Sequence, residues 1–254
     1  AWFGTDMIRK YGELIRFEPN VSSRFGVIHK QSFIDGLVNV NWFDIEPSIT
    51  FHMANAWEQG DEIRLIGARM RNFDFNGLLH FNAVKDRQDE ANAAVLHEWR
   101  LNMKTGKVDE RVISESDDYK NLEMPIIHPL FEGKKTKYIW FNLIDFSKEG
   151  FGASSSGIVK YDVDKAKIVG KIEYEEANGK KGSYQAVFVP KERRNIDKVE
   201  AEDDGYLLNI VWNENSQKSN IQIFDAKAMS STPLAIIDLP YRIPGGFHSR
   251  FYFV

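Results

Sequence analysis

A strand, turn, strand phrase occurs three times along this chain, and the spacing of its copies limits the fold more than any other feature. Around Asn102 it reads RLNMKTGKVDERVI, around Asp162 KYDVDKAKIVGKI, and around Asp225 IFDAKAMSSTPLAIIDL. The anchors lie 60 and 63 residues apart, which leaves room for roughly four strands of ~5 to 6 residues with their turns. A repeating unit of that size predicts propeller blades, and at this period the chain supplies about four of them. A β-sandwich whose hairpins happen to look alike is the other fold that fits the repeat.

The segments between the anchors agree. VNVNWF, ITFHMANAW, EIRLIGARM, VLHEWRLNM, KYIWFNLI, GIVKYDV, YQAVFVP, GYLLNIVW, IQIFDA and LAIIDL are short, β-branched or aromatic, and bounded by Gly, Asp, Asn or Pro. Helical periodicity is nearly absent. The best candidate, Asp89–Val95, is short and polar and predicts a surface turn or two. The run Lys191–Gly205, KERRNIDKVEAEDDG, predicts a solvated loop between strands. Gly150–Gly157, GFGASSSG, contains Gly-x-Gly but has neither the Walker lysine nor a following helix, so it reads as a loop and not as a phosphate cradle.

Composition removes several classes of chemistry. The 37 acidic and 33 basic residues are interspersed, leaving no basic stripe for nucleic acid. The chain has no cysteine, so disulfides, thiolate zinc, iron–sulfur clusters and cysteine nucleophiles are out. Any metal must rest on His, Asp or Glu. No apolar run reaches the ~18 residues of a membrane span, and AWFGTDMIRKYGEL has neither a secretory apolar core nor a transit-peptide composition.

There are six histidines, and in a propeller those that meet should come from different blades, far apart in the chain. His29 predicts a surface position, His80 and His97 lie in or beside polar connecting stretches, and His128 reads as a strand terminus before Pro129. His52 differs, because on a strand its neighbours Thr50 and Ala54 are small and leave space around the ring. His248 follows Pro240, Pro244, Gly245 and Gly246, which impose an irregular approach with close backbone contact. On chemistry alone, a buried histidine bonded to a backbone carbonyl remains the simpler reading of both.

Those two stretches also carry a resemblance. FHMANAWEQGDEI at Phe51–Ile63 resembles the Phe-His-x-x-Asn-Ala-Trp-Glu segment of the carotenoid cleavage oxygenases, and LPYRIPGGFHSRF at Leu239–Phe251 resembles their Leu-Pro-x-Arg-x-Pro-x-Gly-Phe-His-x-x-Phe signature. SRFGVI, RLNMKTG and AVFVP fall in the family's order and spacing, so the likeness covers essentially the whole chain and is strongest to the plant dioxygenase branch. It implies a seven-bladed propeller with a non-haem iron(II) held by four histidines, of which His52 is the third and His248 the fourth. The expected activity is cleavage of one double bond of a carotenoid or apocarotenoid by molecular oxygen, giving two carbonyl products.

The same resemblance supplies partners for the ligands. Glu123, in NLEMPIIHP, matches a family glutamate that orients the third histidine, and Gln185, in SYQAVFVP, stands where a glutamate usually serves the fourth. A neutral amide there leaves His248 less basic, which predicts weaker iron binding or altered activity. Family members are about twice this long, so residues 1–254 are expected to be the C-terminal part of a single propeller domain, with two ligands and about three blades outside it. Peripheral membrane contact and a plastid location in preference to the cytosol are further implications.

Three other readings compete. One is a catalytically inactive propeller fragment; another is the retinoid isomerohydrolase chemistry of an animal branch of the fold, which the plant-like NAWE and RLNMKTG stretches disfavour. The third is a carboxylate-pair hydrolase using Glu58, Asp61 and Glu62, but an acidic turn between strands explains those residues more simply.

Overall fold

The near-continuous apolar run KYIWFNLI explains how the strands are layered. A strand buried on both faces cannot alternate polar with apolar. In this computed structural model the described residues are 2–3, 15–36, 38–71, 94–113, 121–145, 154–174, 179–182, 185–192, 194–244 and 248–252. In chain order the strands are β1 (Trp2–Phe3), β2 (Ile15–Arg16), β3 (Ser23–Ile28), β4 (Val40–Ile45), β5 (Ile49–Gln59), β6 (Glu62–Met70), β7 (Val95–Asn102), β8 (Val108–Val112) and β9 (Leu122–Ile126). There follow β10 (Tyr138–Asp145), β11 (Ser154–Asp162), β12 (Lys167–Glu173), β13 (Lys180–Gly182), β14 (Val187–Pro190), β15 (Gly205–Asn213), β16 (Lys218–Asp225) and β17 (Ala235–Asp238). A five-residue helix, α1 (Lys30–Ile34), which no periodicity announces, links β3 to β4.

Among the described residues three antiparallel four-stranded units emerge: β5-β6-β7-β8, β9-β10-β11-β12 and β14-β15-β16-β17. These are the blades, one fewer than the spacing predicts, because the leading residues form two-stranded pairings, β1 with β2 and β3 with β4. The repeated phrase occupies the same place in all three blades, the hairpin between third and fourth strands. There Asn102 Oδ1 accepts from the N–H of Lys104 and Thr105, Asp162 Oδ1 from Lys165, and Asp225 Oδ1 from Lys227 and Ala228. The left-handed residue that closes each turn is Gly106, Ala166 or Met229. Asn213 builds the same turn between β15 and β16, with Gln217 left-handed, a copy the repeat reading missed.

Side chains alternate between two interfaces along the central strands. From β10, Ile139 and Phe141 face the first blade and pack with Trp57, Ile66 and Leu96, while Trp140 faces the third and packs with Phe188, Leu207 and Phe224. All three are fully buried, and truncating Trp140 to Ala costs about 3 to 5 kcal/mol at such a site. A further cluster, Phe43, Ile45, Trp99 and Leu101, seats the β3–β4 pair on the first blade. The second and third blades are also joined by hydrogen bonds, because β13 pairs with both β11 and β15.

Two sequence expectations change here. The charged run 191–205 is not a simple solvated loop: Glu202 and Asp203 are buried. Glu202 accepts from the Thr136 hydroxyl and from the N–H of Lys137 and Tyr138, and Asp203 meets the buried Lys160 ammonium at 2.5 Å. Burial raises the Glu202 pKa, and these long-range partners offset it. His97 is likewise no connector residue but lies buried in mid-strand on β7, packed on Trp99 with ring centroids 4.7 Å apart. Residues 89–93 of the helix candidate and 150–153 of the glycine-rich stretch lie outside the described residues, while Ser154–Gly157 open β11. Glu58, Asp61 and Glu62 surround the tight β5–β6 turn, where Asp61 pairs with Lys104 across solvent.

Candidate metal centre

The first strands of the first two blades, β5 and β9, and the residue two before β14 each contribute one side chain to a single locus. On β5 the ladder to β6 breaks twice, between Thr50 and Met53 and between Met53 and Asn55. A bulge of this kind re-aims a side chain, and His52 sits in the first break, half-buried. The rest of the FHMANAW segment anchors it. Trp57 enters the inter-blade core, and Asn55 donates to the carbonyls of Phe131 and Lys134 while its Oδ1 accepts from Gly133 N.

On β9 the register to β10 also shifts, between Trp140 and Asn142. Asn121 (φ 65°) and Met124 (φ 53°) are left-handed on either side of Glu123. Non-glycine residues adopt that conformation only where the surroundings impose it. The result turns Glu123, 5% exposed, toward the neighbouring blade. Its Oε2 accepts from Met124 N at 3.1 Å and lies 2.8 Å from His52 Nδ1.

Gln185 precedes β14, and its amide orientation is set by two unambiguous backbone groups. Ser249 N donates to Oε1 at 3.2 Å, and Nε2 points at the Pro125 carbonyl, 3.5 Å away. With Oε1 thus an acceptor, His248 Nδ1, 3.2 Å from it, must be the protonated nitrogen. His248 is exposed and belongs to an irregular stretch, laid on the third blade by Ile243 N bonding to Ser219 Oγ and by Arg242 stacked 4.5 Å over Trp212. Gly245 and Gly246 lie outside the described residues.

The two imidazoles meet edge to face, with centroids 5.1 Å apart and planes at 73°. Glu123 can only accept, so His52 also carries its proton on Nδ1, and both rings keep Nε2 as the lone-pair nitrogen. That is the donor set a borderline divalent metal takes, with each ligand's other nitrogen held by an oxygen. A second observation fits a cation. Glu123 Oε1 is buried without a hydrogen-bond partner, and among the described residues the carboxylate's only ion-pair contact is His52. A neutral imidazole leaves that buried charge uncompensated, whereas a metal on Nε2 supplies the missing positive charge. Among the described residues no group of three or more His, Asp or Glu side chains gathers to hold a metal.

The other histidines stay apart. His29 is exposed at the start of α1, His128 is buried just past β9 with Nδ1 accepting from Leu130 N, and His80 lies outside the described residues. Two residues near the site carry no motif. Asn142, paired across the ladder with Glu123, accepts from Ala186 N and donates to Ser155 Oγ, tying the residue after Gln185 to the second blade. Gly67 lies behind the His52 bulge. An apolar run interrupted by one polar residue, WFNLI, is the only sequence sign of the first.

Comparison with known proteins identifies the chain's relatives. Residues 2–252 match the family model described as retinal pigment epithelial membrane protein. The carotenoid 9,10(9',10')-cleavage dioxygenase of Crocus sativus is 34% identical over 95% of this chain and 43% of its own length, and the Arabidopsis thaliana carotenoid 9,10(9',10')-cleavage dioxygenase 1 is 32% identical over 97% and 44%. A 9-cis-epoxycarotenoid dioxygenase of A. thaliana, named chloroplastic, is 28% identical over 96% and 39%. The chain thus spans under half the length of these relatives. Among solved structures, cobalt-substituted Synechocystis ACO superposes with a TM-score of 0.71 at 19% identity, covering 92% of this chain and 44% of that one. Three complete blades among the described residues, a family match over residues 2–252 and relatives matched along nearly the whole chain lead to one assignment: the chain belongs to the carotenoid cleavage oxygenase family.

Proposed function

We propose that this chain supplies His52 and His248 as two of four histidine ligands to an iron(II) centre in a dioxygenase that cleaves a carbon–carbon double bond of a carotenoid or apocarotenoid. The observation that carries the reading is the pair of imidazoles 5.1 Å apart, each fixed through Nδ1 by a side-chain oxygen. When bound, iron(II) supplies dioxygen activation, a reaction suited to neutral imidazole ligands and a redox-active metal. The chain's own part is to present Nε2 of each ring, to keep the Nδ1 protons in place through Glu123 and Gln185, and to hold His52 on a strand fixed by inter-blade packing. The cobalt named for one structural neighbour supports a metal at such a site. Relatives named chloroplastic support a plastid location, and an apolar polyene substrate goes with peripheral contact to a membrane that stores it.

Two histidines are an incomplete set, and that observation favours a second reading, an inactive propeller chain. The native transcript separates the two: the first reading requires two further histidines encoded outside residues 1–254. Protein from that transcript should bind one iron per chain and bleach a carotenoid only when oxygen is present. Iron-loaded protein that leaves every carotenoid intact would end the dioxygenase reading.

A further inference from the structure

The half of the site best fixed by the fold depends on a glycine that no motif contains. Gly67 is buried on β6 and stands opposite two things at once, Met53 in the β5 bulge and His97 on β7. A Cβ at this position would lie 2.8 Å from Met53 Sδ, 3.1 Å from the His52 carbonyl oxygen and 3.2 Å from Thr50 Cγ2. Contacts at these distances force a shift. The β7 side cannot give, since His97 and its neighbours Leu96 and Trp99 are fully packed. The β5 side can, because its ladder is already broken between Thr50 and Met53.

We propose that Gly67 is a positioning residue for His52: the missing side chain lets the bulge sink against β6, and this depth sets the reach of the imidazole to Glu123. Glu123 does not follow a displaced β5. It sits on β9, paired with β10 and braced by its own left-handed neighbours. A shift of a few tenths of an ångström in the His52 backbone is therefore taken up in the Nδ1–Oε2 contact, now 2.8 Å. Its consequence for a metal rests on the function proposed above; its consequence for the ring does not.

The test uses long-range 1H–15N spectra of the metal-free protein encoded by the native transcript at one fixed alkaline pH, followed by cobalt(II) titration. In the parent chain His52 should show a single tautomer protonated on Nδ1. In Gly67→Ala the His52 signals should move toward a mixture with the Nε2-protonated form, while His97 and His128 stay where they were, and cobalt(II) affinity should fall about 10-fold or more. The Gly67→Ala, Met53→Ala double variant removes the sulfur but keeps the carbonyl contact, so the mixture should persist. An unchanged His52 tautomer in Gly67→Ala overturns the proposal, as does full recovery in the double variant, and so does loss of the fold, since the contacts call for a shift and not for unfolding. If the tautomer changes but neither protein binds cobalt(II), Gly67 keeps its role and the metal reading fails instead.

Discussion

The two histidines reach the same point by opposite means. His52 stands in a bulge on β5, which pairs with the packed strand β6, and its ring meets a buried carboxylate. His248 is exposed on an irregular stretch and leans on a neutral amide at 3.2 Å. One arm is built into the inter-blade core and the other is laid over it. A ligand of the first kind is positioned by the fold before any metal arrives, whereas one of the second kind needs partners to complete it. Disturbances of the core should therefore register at His52, and changes of local charge at His248.

The largest expected effect concerns the packing behind the rigid arm. Burial first, and the nearby Arg69 guanidinium second, lower the His97 pKa from 6.5 to about 4. On unfolding the ring regains its ordinary value, so the unfolded chain takes up the proton first as the pH falls. The stabilisation is complete above about 6.5, is lost progressively as the pH falls toward 4, and amounts to about 3 kcal/mol. Urea denaturation of His97→Phe across this window should show a flatter acid limb than the parent; parallel curves would mean that His97 does not dominate it.

Next in size is the contrast between the two oxygens. Glu123→Leu should lower cobalt(II) affinity about 100-fold and Gln185→Leu about 10-fold, both read by titration. Equal losses would break the distinction between a built-in and an overlaid arm. Asn55→Ala strips two carbonyls and two N–H groups of their partner near β5, and should cost about 2 kcal/mol in chemical denaturation. Ser219→Ala, which frees only Ile243 N under the other arm, should cost about 0.5 kcal/mol. The smallest effect is a gain. Gln185→Glu places a charge beside His248 and should tighten metal binding a few-fold, and titration curves that coincide with the parent would count against a role for the missing charge.

Much of the fold could be read from the chain because blades announce themselves locally. Asn102, Asp162 and Asp225 each close a hairpin by accepting from backbone N–H groups two or three residues on, so a sequence repeat and a structural repeat coincide. The double burial of β10 shows in an uninterrupted apolar run for the same reason. Other features depend on residues far away. Nothing in KERRNIDKVEAEDDG reveals that Glu202 and Asp203 find donors 43 to 66 residues earlier, and so its composition reads as solvent-facing. His52 and Glu123 are 71 residues apart, and His248 and Gln185 63. Only the family motifs link these four in the sequence, and not even they mark Gly67 or Asn142, whose parts are played by an absent side chain and by a buried amide.

The short strand β13 has a bearing on how this molecule comes apart. By pairing with β11 on one side and β15 on the other, it makes one hydrogen-bonded sheet of nine strands from two blades. Among the described residues no strand of the first blade pairs with that sheet: the two meet through packed side chains and isolated hydrogen bonds such as Asn121 N to the Ala94 carbonyl. Native-state hydrogen exchange should accordingly resolve two cooperative units, residues 49–112 opening separately from 122–238. The boundary between them runs between His52 and Glu123, so the 2.8 Å contact at the heart of the site also spans the joint along which the protein opens.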